Sequence, residues 1–179
     1  MMPAAAAKRA PQKKPDPKRQ EQGRQNRAEG KEFDKRIDEA FAYCKSKGSA
    51  QIDKTPEPTK VIKRLEGGKF IAVFDKKAQP DYSGTLKGGR SVKFEAKFTT
   101  SDRITADRVT DTQADYLAKA AALGAHCYIL AGFATGNVYK IPWEIWSEMK
   151  SYFGRKYVQE ADLKQYQVNA GWHGMLMII

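Results

Sequence analysis

The apolar positions of this chain change period several times, and each change marks an element. Phe33, Ile37, Ala40, Phe41 and Cys44 fall on one stripe at helical spacing. They predict a helix from Asn26 to about Lys47, with Asn26 and Glu29 at capping-box spacing and Gly48 beyond its end. Ser49 to Lys54 predicts a short strand, stopped by Thr55-Pro56-Glu57-Pro58. Lys60 to Leu65, Gly67-Gly68 and Phe70 to Phe74 read as strand, turn, strand. Asp81 to Leu86 is a further strand, followed by a glycine-marked turn at Lys87-Gly88-Gly89-Arg90. From Ser91 to Phe98 the pattern alternates, with Val92, Phe94, Ala96 and Phe98 on one face.

Beyond this hairpin, Thr99 to Thr110 is polar and predicts a loop. Asp111 or Thr112 then caps a helix over Gln113 to Leu123, closed by Gly124, with small apolar residues suited to packing on a sheet. Ala125 to Phe133 is an almost unbroken apolar run of strand length, which predicts a central strand containing His126 as a core or edge residue. Gly136-Asn137 turns the chain into Val138 to Ile141, and Pro142 opens a helix through about Tyr152, where Trp143 and Trp146 are packing residues. Val158 to Val168 and Met175 to Ile179 complete the chain as a closing strand or extension. Such an order predicts an α/β or α+β domain with a mixed sheet flanked by helices.

Three polar side chains interrupt the hairpin: Asp81, Glu95 and Lys97. Glu95 and Lys97 are two apart and share a face. A three-residue loop, Lys87 to Gly89, pairs Leu86 with Arg90 and sets Asp81 across from Glu95 on that face. A two-residue loop shifts the register by one and aims Asp81 away. In the first register two carboxylates and an ammonium converge. Two acids bind a hard divalent ion such as Mg²⁺, which favours phosphate oxygens as further ligands and activates a bound water. A neighbouring lysine orients that water or stabilises the charge of a pentavalent transition state. The plainer alternative is a cross-strand Glu–Lys salt bridge on a solvated face, worth under about 1 kcal/mol.

Charge then narrows the partner. Lysine and arginine number 32 against 21 acids, a formal excess of +11 over 179 residues. That balance suits a polyanion, with nucleic acid ahead of an anionic membrane surface. No apolar run approaches the roughly 18 residues of a membrane span. Residues 1–25 are basic, lack apolar periodicity and are expected to be a disordered arm preceding one domain over 26–179. No secretory signal is expected at the start, and Cys44 and Cys127 read as buried free thiols of a reducing, cytoplasmic compartment. No Ser-His-Asp arrangement, Walker-type glycine loop or zinc spacing is present. Candidate phosphate contacts are Arg24 and Arg27 near the arm, Lys63 and Arg64 in the basic strand–turn–strand, and Arg103 and Arg108 in the polar loop.

The same residues carry a resemblance. Pro80-Asp81 followed by Glu95-Ala96-Lys97 resembles the PD-(D/E)XK nuclease signature. Asp81-Tyr82-x-Gly84 with Phe94-Glu95-Ala96-Lys97 is similar, more narrowly, to the RecU family of Holliday junction resolvases, and the flanks extend the likeness from about Asn26 to about Trp146. The resemblance implies a restriction-endonuclease-like core, Mg²⁺-dependent (or Mn²⁺-dependent) endonucleolytic cleavage of DNA at four-way junctions, and a homodimer with paired sites. It implies Asp81 and Glu95 as metal ligands and Lys97 as the catalytic cation. Gln113 is implied to reach the metal through its carbonyl or a water. The family's basic N-terminal arm acts on junction DNA, and its excursion after the first strand projects as a stalk, here short. Members usually carry threonine or serine as a ligand before the aspartate. Pro80 stands there in this chain, offering only a backbone carbonyl. The resemblance also implies action in the cytoplasm of a bacterial cell, with the protein encoded by the bacterium or by its phage. Two rival readings are a nuclease of the same fold acting on other DNA, and a non-catalytic basic DNA-binding protein.

Overall fold

Tyr82, Phe94 and Tyr128 stack in a row, with ring centroids 4.8 and 4.7 Å apart and nearly parallel planes. They come from three neighbouring strands, and the row fixes the frame in which the polar residues are held. In the computed structural model, which describes residues 17–56, 59–74, 79–171 and 174–179, the elements follow in order. These are α1 (Pro17–Ser46), β1 (Ala50–Lys54), β2 (Thr59–Arg64), β3 (Phe70–Phe74), β4 (Tyr82–Leu86) and β5 (Ser91–Thr99). Next come β6 (Arg103–Thr105), α2 (Asp111–Ala122), β7 (His126–Phe133), β8 (Val138–Pro142), α3 (Trp143–Ser147), α4 (Met149–Phe153) and β9 (Tyr157–Gln159).

The main sheet has the order β1-β4-β5-β7-β8. All neighbours are antiparallel except β5 and β7, so the sheet is mixed, as expected. The α1 stripe of Phe33, Ile37, Ala40 and Phe41 packs on one face with Ile52, Tyr82, Phe94, Tyr128 and Leu130. On the other face Leu117 of α2 and Trp143, Trp146 and Met149 of α3 and α4 cover Cys127, Ile129, Ala131 and Ile141. Both tryptophans are buried packing residues. Burying both faces of β5 and β7 explains why β7 reads as a continuous apolar run. Cys127 is a buried free thiol, its pKa pushed up to about 11 by burial, whereas Cys44 is only half-buried. His126 is a half-buried ring against Tyr128, its pKa lowered by burial first and by Lys140 and Arg90 beyond that.

Several boundaries differ from expectation. The first helix starts at Pro17, nine residues before Asn26, so residues 17–25 are helical rather than disordered; residues 1–16 of the expected arm lie outside the described residues. Proline is at home in a first helical turn, and the following Lys, Arg, Gln and Glu residues are strong helix formers that need no apolar stripe. The polar stretch after β5 contains β6, which pairs with the distant β9, and a 3-10 turn at Ala106–Arg108. The helix expected after Pro142 breaks at Glu148 into α3 and α4. The chain after β9 forms a 3-10 segment, Glu160–Tyr166, and then an irregular tail that buries Val168, Leu176 and Ile178 in the α1-side core. The expected strand–turn–strand is present as β2 and β3, in a small sheet of its own. Among the described residues, no helix is long and apolar enough to cross a membrane.

Candidate active site

The hairpin turn decides the site. Gly88 and Gly89 have φ of 95° and 89°, a region open to glycine and strained for other residues. They close a three-residue loop in which the Leu86 N–H donates to Arg90 O at 2.9 Å. The resulting pairs, Tyr82 with Phe94 and Gly84 with Val92, place Asp81 opposite Glu95. The aromatic row locks that register, because a one-residue slip would move Phe94 to the opposite face. Gly84 serves the same end on its outer side. A Cβ there would stand 2.0 Å from the Gln51 carbonyl oxygen, so β1 closes on β4 only over a glycine.

The polar residues of β5 point away from the aromatic row, toward α2. Lys97 Nζ donates to Glu95 Oε2 at 2.7 Å and to Asp81 Oδ2 at 3.5 Å. The Ala96 N–H also donates to Asp81 Oδ2, at 3.3 Å. From the helix, Gln113 Nε2 donates to Glu95 Oε2 at 2.5 Å. Glu95 is wholly buried, and its side chain has no exposed surface. This is not the solvated salt bridge of the plainer alternative, whose worth assumes water around both charges.

Burial is the first reason that the Glu95 pKa is pushed up to about 7, with the hydrogen bond to Asp81 next and the Lys97 charge opposing both. Its Oε1 is buried without a hydrogen-bond partner, an unusual state for a carboxylate oxygen. Two acids facing a single ammonium, with one oxygen left bare, fit a divalent cation of the oxygen-preferring class. Among the described residues no group of three or more His, Cys, Asp or Glu is arranged for a metal.

Gln113 arrives by a route that the sequence reading missed. Thr110, not Asp111 or Thr112, caps α2, and Thr110 and Gln113 form a reciprocal capping box. The Gln113 oxygen accepts from the Thr110 N–H at 3.0 Å and from its hydroxyl at 3.1 Å. The amide nitrogen is thereby turned to Glu95. The T-x-x-Q spacing is the signal that would have found it.

The basic candidates are dispersed. Arg108 donates to the Phe98 carbonyl at 2.9 Å, one residue beyond Lys97. Arg103 lies over the Tyr157 ring at 5.3 Å and 3.9 Å from Asp102. Arg24 and Arg27 are exposed on α1, and Lys63 and Arg64 are exposed on β2. Arg108 is the one that the fold brings to the end of β5.

The family description Recombination protein U matches residues 28–178, and the chain belongs to that family. No curated protein matches it. Among solved structures it is similar to Hjc, a Holliday junction resolvase from the archaeal hyperthermophile Archaeoglobus fulgidus. That similarity has a TM-score of 0.48 and 11% identity, over 76% of this chain and 88% of that one.

Proposed function

We infer that this protein is a divalent-metal-dependent endonuclease that resolves Holliday junctions. The observation that carries the reading is the facing Asp81–Glu95 pair with Lys97 between the two carboxylates, where Glu95 is buried and half unsatisfied. Asp81 and Glu95 would hold the cation, with Mg²⁺ the first candidate and Mn²⁺ a substitute. Bound there, the cation supplies Lewis-acid neutralisation of phosphate charge and a more acidic water.

The chain's own groups do the rest. Lys97, held between both carboxylates, keeps a positive charge where a phosphate oxygen gains negative charge as the water oxygen bonds to phosphorus and the ester bond breaks. Gln113 fixes the Glu95 side chain, and the Thr110 cap fixes Gln113. Glu95 serves as a ligand in its ionised form, so its raised pKa ties metal loading to proton release.

Arg24, Arg27, Lys63, Arg64, Arg103 and Arg108 supply phosphate contacts in this reading. Resolving a junction takes two symmetric cuts, which suits a two-fold homodimer with paired sites. The place of action is the cytoplasm of a bacterial cell, with the protein encoded by that cell or by its phage. The deciding experiment offers a synthetic four-way junction, a flap and a linear duplex at equal concentration, with Mg²⁺ and with EDTA. Symmetric, metal-dependent nicking of the junction in preference to the others is expected. Equal cutting of all three substrates, or none of any, would overturn the reading.

A further inference from the structure

A second feature adjoins this site and is used by none of the residues assigned so far. Between the β4–β5 turn and α2 lies an open cleft of about 700 Å³, lined by Arg90 and Lys93 on one wall and by Tyr116, Lys119 and Leu123 on the other. It continues the site along the same two elements. Lys93 is two residues before Glu95 on the same face of β5, and Tyr116 is one helical turn beyond Gln113.

The charges in the cleft are unequal. Lys119 is engaged with Asp115 at 2.6 Å. Arg90 and Lys93 form no side-chain hydrogen bond or ion pair among the described residues. The opposite wall carries a half-buried tyrosine ring and a leucine that is 89% exposed, an apolar surface beside two free cations. Spacing points the same way. Two residues of strand separate Lys93 from Glu95, about 7 Å, comparable to the distance between consecutive phosphates of one nucleic-acid strand.

We propose that this cleft is the subsite for the DNA strand flanking the scissile phosphate, with Lys93 and then Arg90 taking successive phosphates. Tyr116 and Leu123 receive the sugar or base edge of the intervening nucleotide. Stacking on an aromatic wall beside a cationic one is the usual way of holding a strand without reading its sequence. The proposal rests on the nuclease reading for the identity of the strand, and its test is a binding measurement that needs no cleavage.

Junction binding is read by fluorescence anisotropy in Ca²⁺ across a salt series, for wild type, Lys93→Ala, Arg90→Ala and Lys93→Arg. Each alanine variant is expected to weaken binding about three- to tenfold and to reduce the salt slope by about one, with Lys93→Arg close to wild type. Where wild type cleaves and the cut is mapped, junctions with a neutral methylphosphonate one phosphate to either side complete the test. Wild type is expected to lose affinity for one of the two, and Lys93→Ala to lose nothing further on that junction. Alanine variants with wild-type affinity and slope, or a methylphosphonate effect that adds fully to Lys93→Ala, would overturn the proposal. A cleft that passes while the junction stays uncut would instead remove the nuclease reading and leave a strand-binding groove.

Discussion

The amide nitrogen of Gln113 meets Glu95 Oε2 at 2.5 Å while the oxygen of the same amide caps α2 at Thr110. One side chain thus starts a helix and holds the buried Glu95 carboxylate in place. Gln113→Ala removes the donor to a buried carboxylate and half of a capping box. Stability is expected to fall by about 1–2 kcal/mol, read by thermal unfolding. Junction cleavage is expected to slow about 10–100-fold, the usual effect of losing a group that orients a ligand.

The Glu95 pKa of about 7 gives a prediction of opposite sign to ordinary acid denaturation. The folded state holds this proton more tightly than the unfolded chain, whose value is about 4.5. Its contribution to stability is therefore complete below the unfolded value and is lost as pH rises toward 7. In EDTA, wild type should lose melting temperature between about pH 5 and 8 relative to Glu95→Gln, which cannot titrate there. Adding Mg²⁺ at about pH 8 should restore stability to wild type but not to the variant, because the cation binds the ionised folded form. A wild-type profile parallel to that of Glu95→Gln in EDTA would show that Glu95 does not titrate in this range.

Lys97→Ala and Asp81→Asn separate catalysis from binding. Either change should reduce cleavage by about 10²–10³-fold or more, since each removes charge placed for the transition state or for the metal. Junction affinity should hold for Lys97→Ala and hold or rise for Asp81→Asn, which removes a negative charge that would repel phosphate. Anisotropy and single-turnover cleavage on the same junction check the two halves. A non-catalytic DNA-binding protein would show no cleavage in wild type to lose.

What could be read from the sequence was whatever has a short-range cause. Adjacent glycines in the turn and the alternation up to Phe98 narrowed β4 on β5 to two registers, and the three-residue loop selects the one that sets Asp81 opposite Glu95. The burial of Glu95 was not, because whether a polar strand face meets solvent depends on α2, which lies elsewhere in the chain. The cap of α2 was misplaced because Thr110, Asp111 and Thr112 are all competent caps, and only the Gln113 side chain selects among them. The start of α1 was late because residues 17–25 carry no apolar stripe, leaving propensity as the sole signal. β6 was missed since three residues paired with distant β9 carry no period of their own.

Gly84 tests the frame rather than the chemistry. The Cβ of Gly84→Ala would fall 2.0 Å from Gln51 O and 2.5 Å from the Ile52 Cα, both backbone atoms that yield only if β1 moves. The expected cost is about 2–4 kcal/mol, in the range of severe overpacking. Because β4 also carries Tyr82 against Phe94, displacement of β1 should reach the start of the β4–β5 hairpin, and metal affinity should fall with stability. Isothermal titration with Mn²⁺ and chemical unfolding of the same samples would show this. A variant as stable as wild type would mean that β1 does not lie against β4 as described.

The β2–β3 hairpin presents Lys63 and Arg64 beside Val61, Ile62, Phe70, Ile71 and Val73, all substantially exposed. A two-stranded sheet with so much apolar surface is marginal alone in water, so a nucleic-acid contact through its cations would also shelter those side chains. Lys63→Ala with Arg64→Ala removes two exposed positive charges and touches none of the core. The slope of log affinity against log salt should shrink by about two, with the single-turnover rate at saturating protein much less affected. Junction affinity measured from about 50 to 200 mM salt reads the slope directly. An unchanged slope would place the hairpin off the DNA and leave its apolar residues to a different partner.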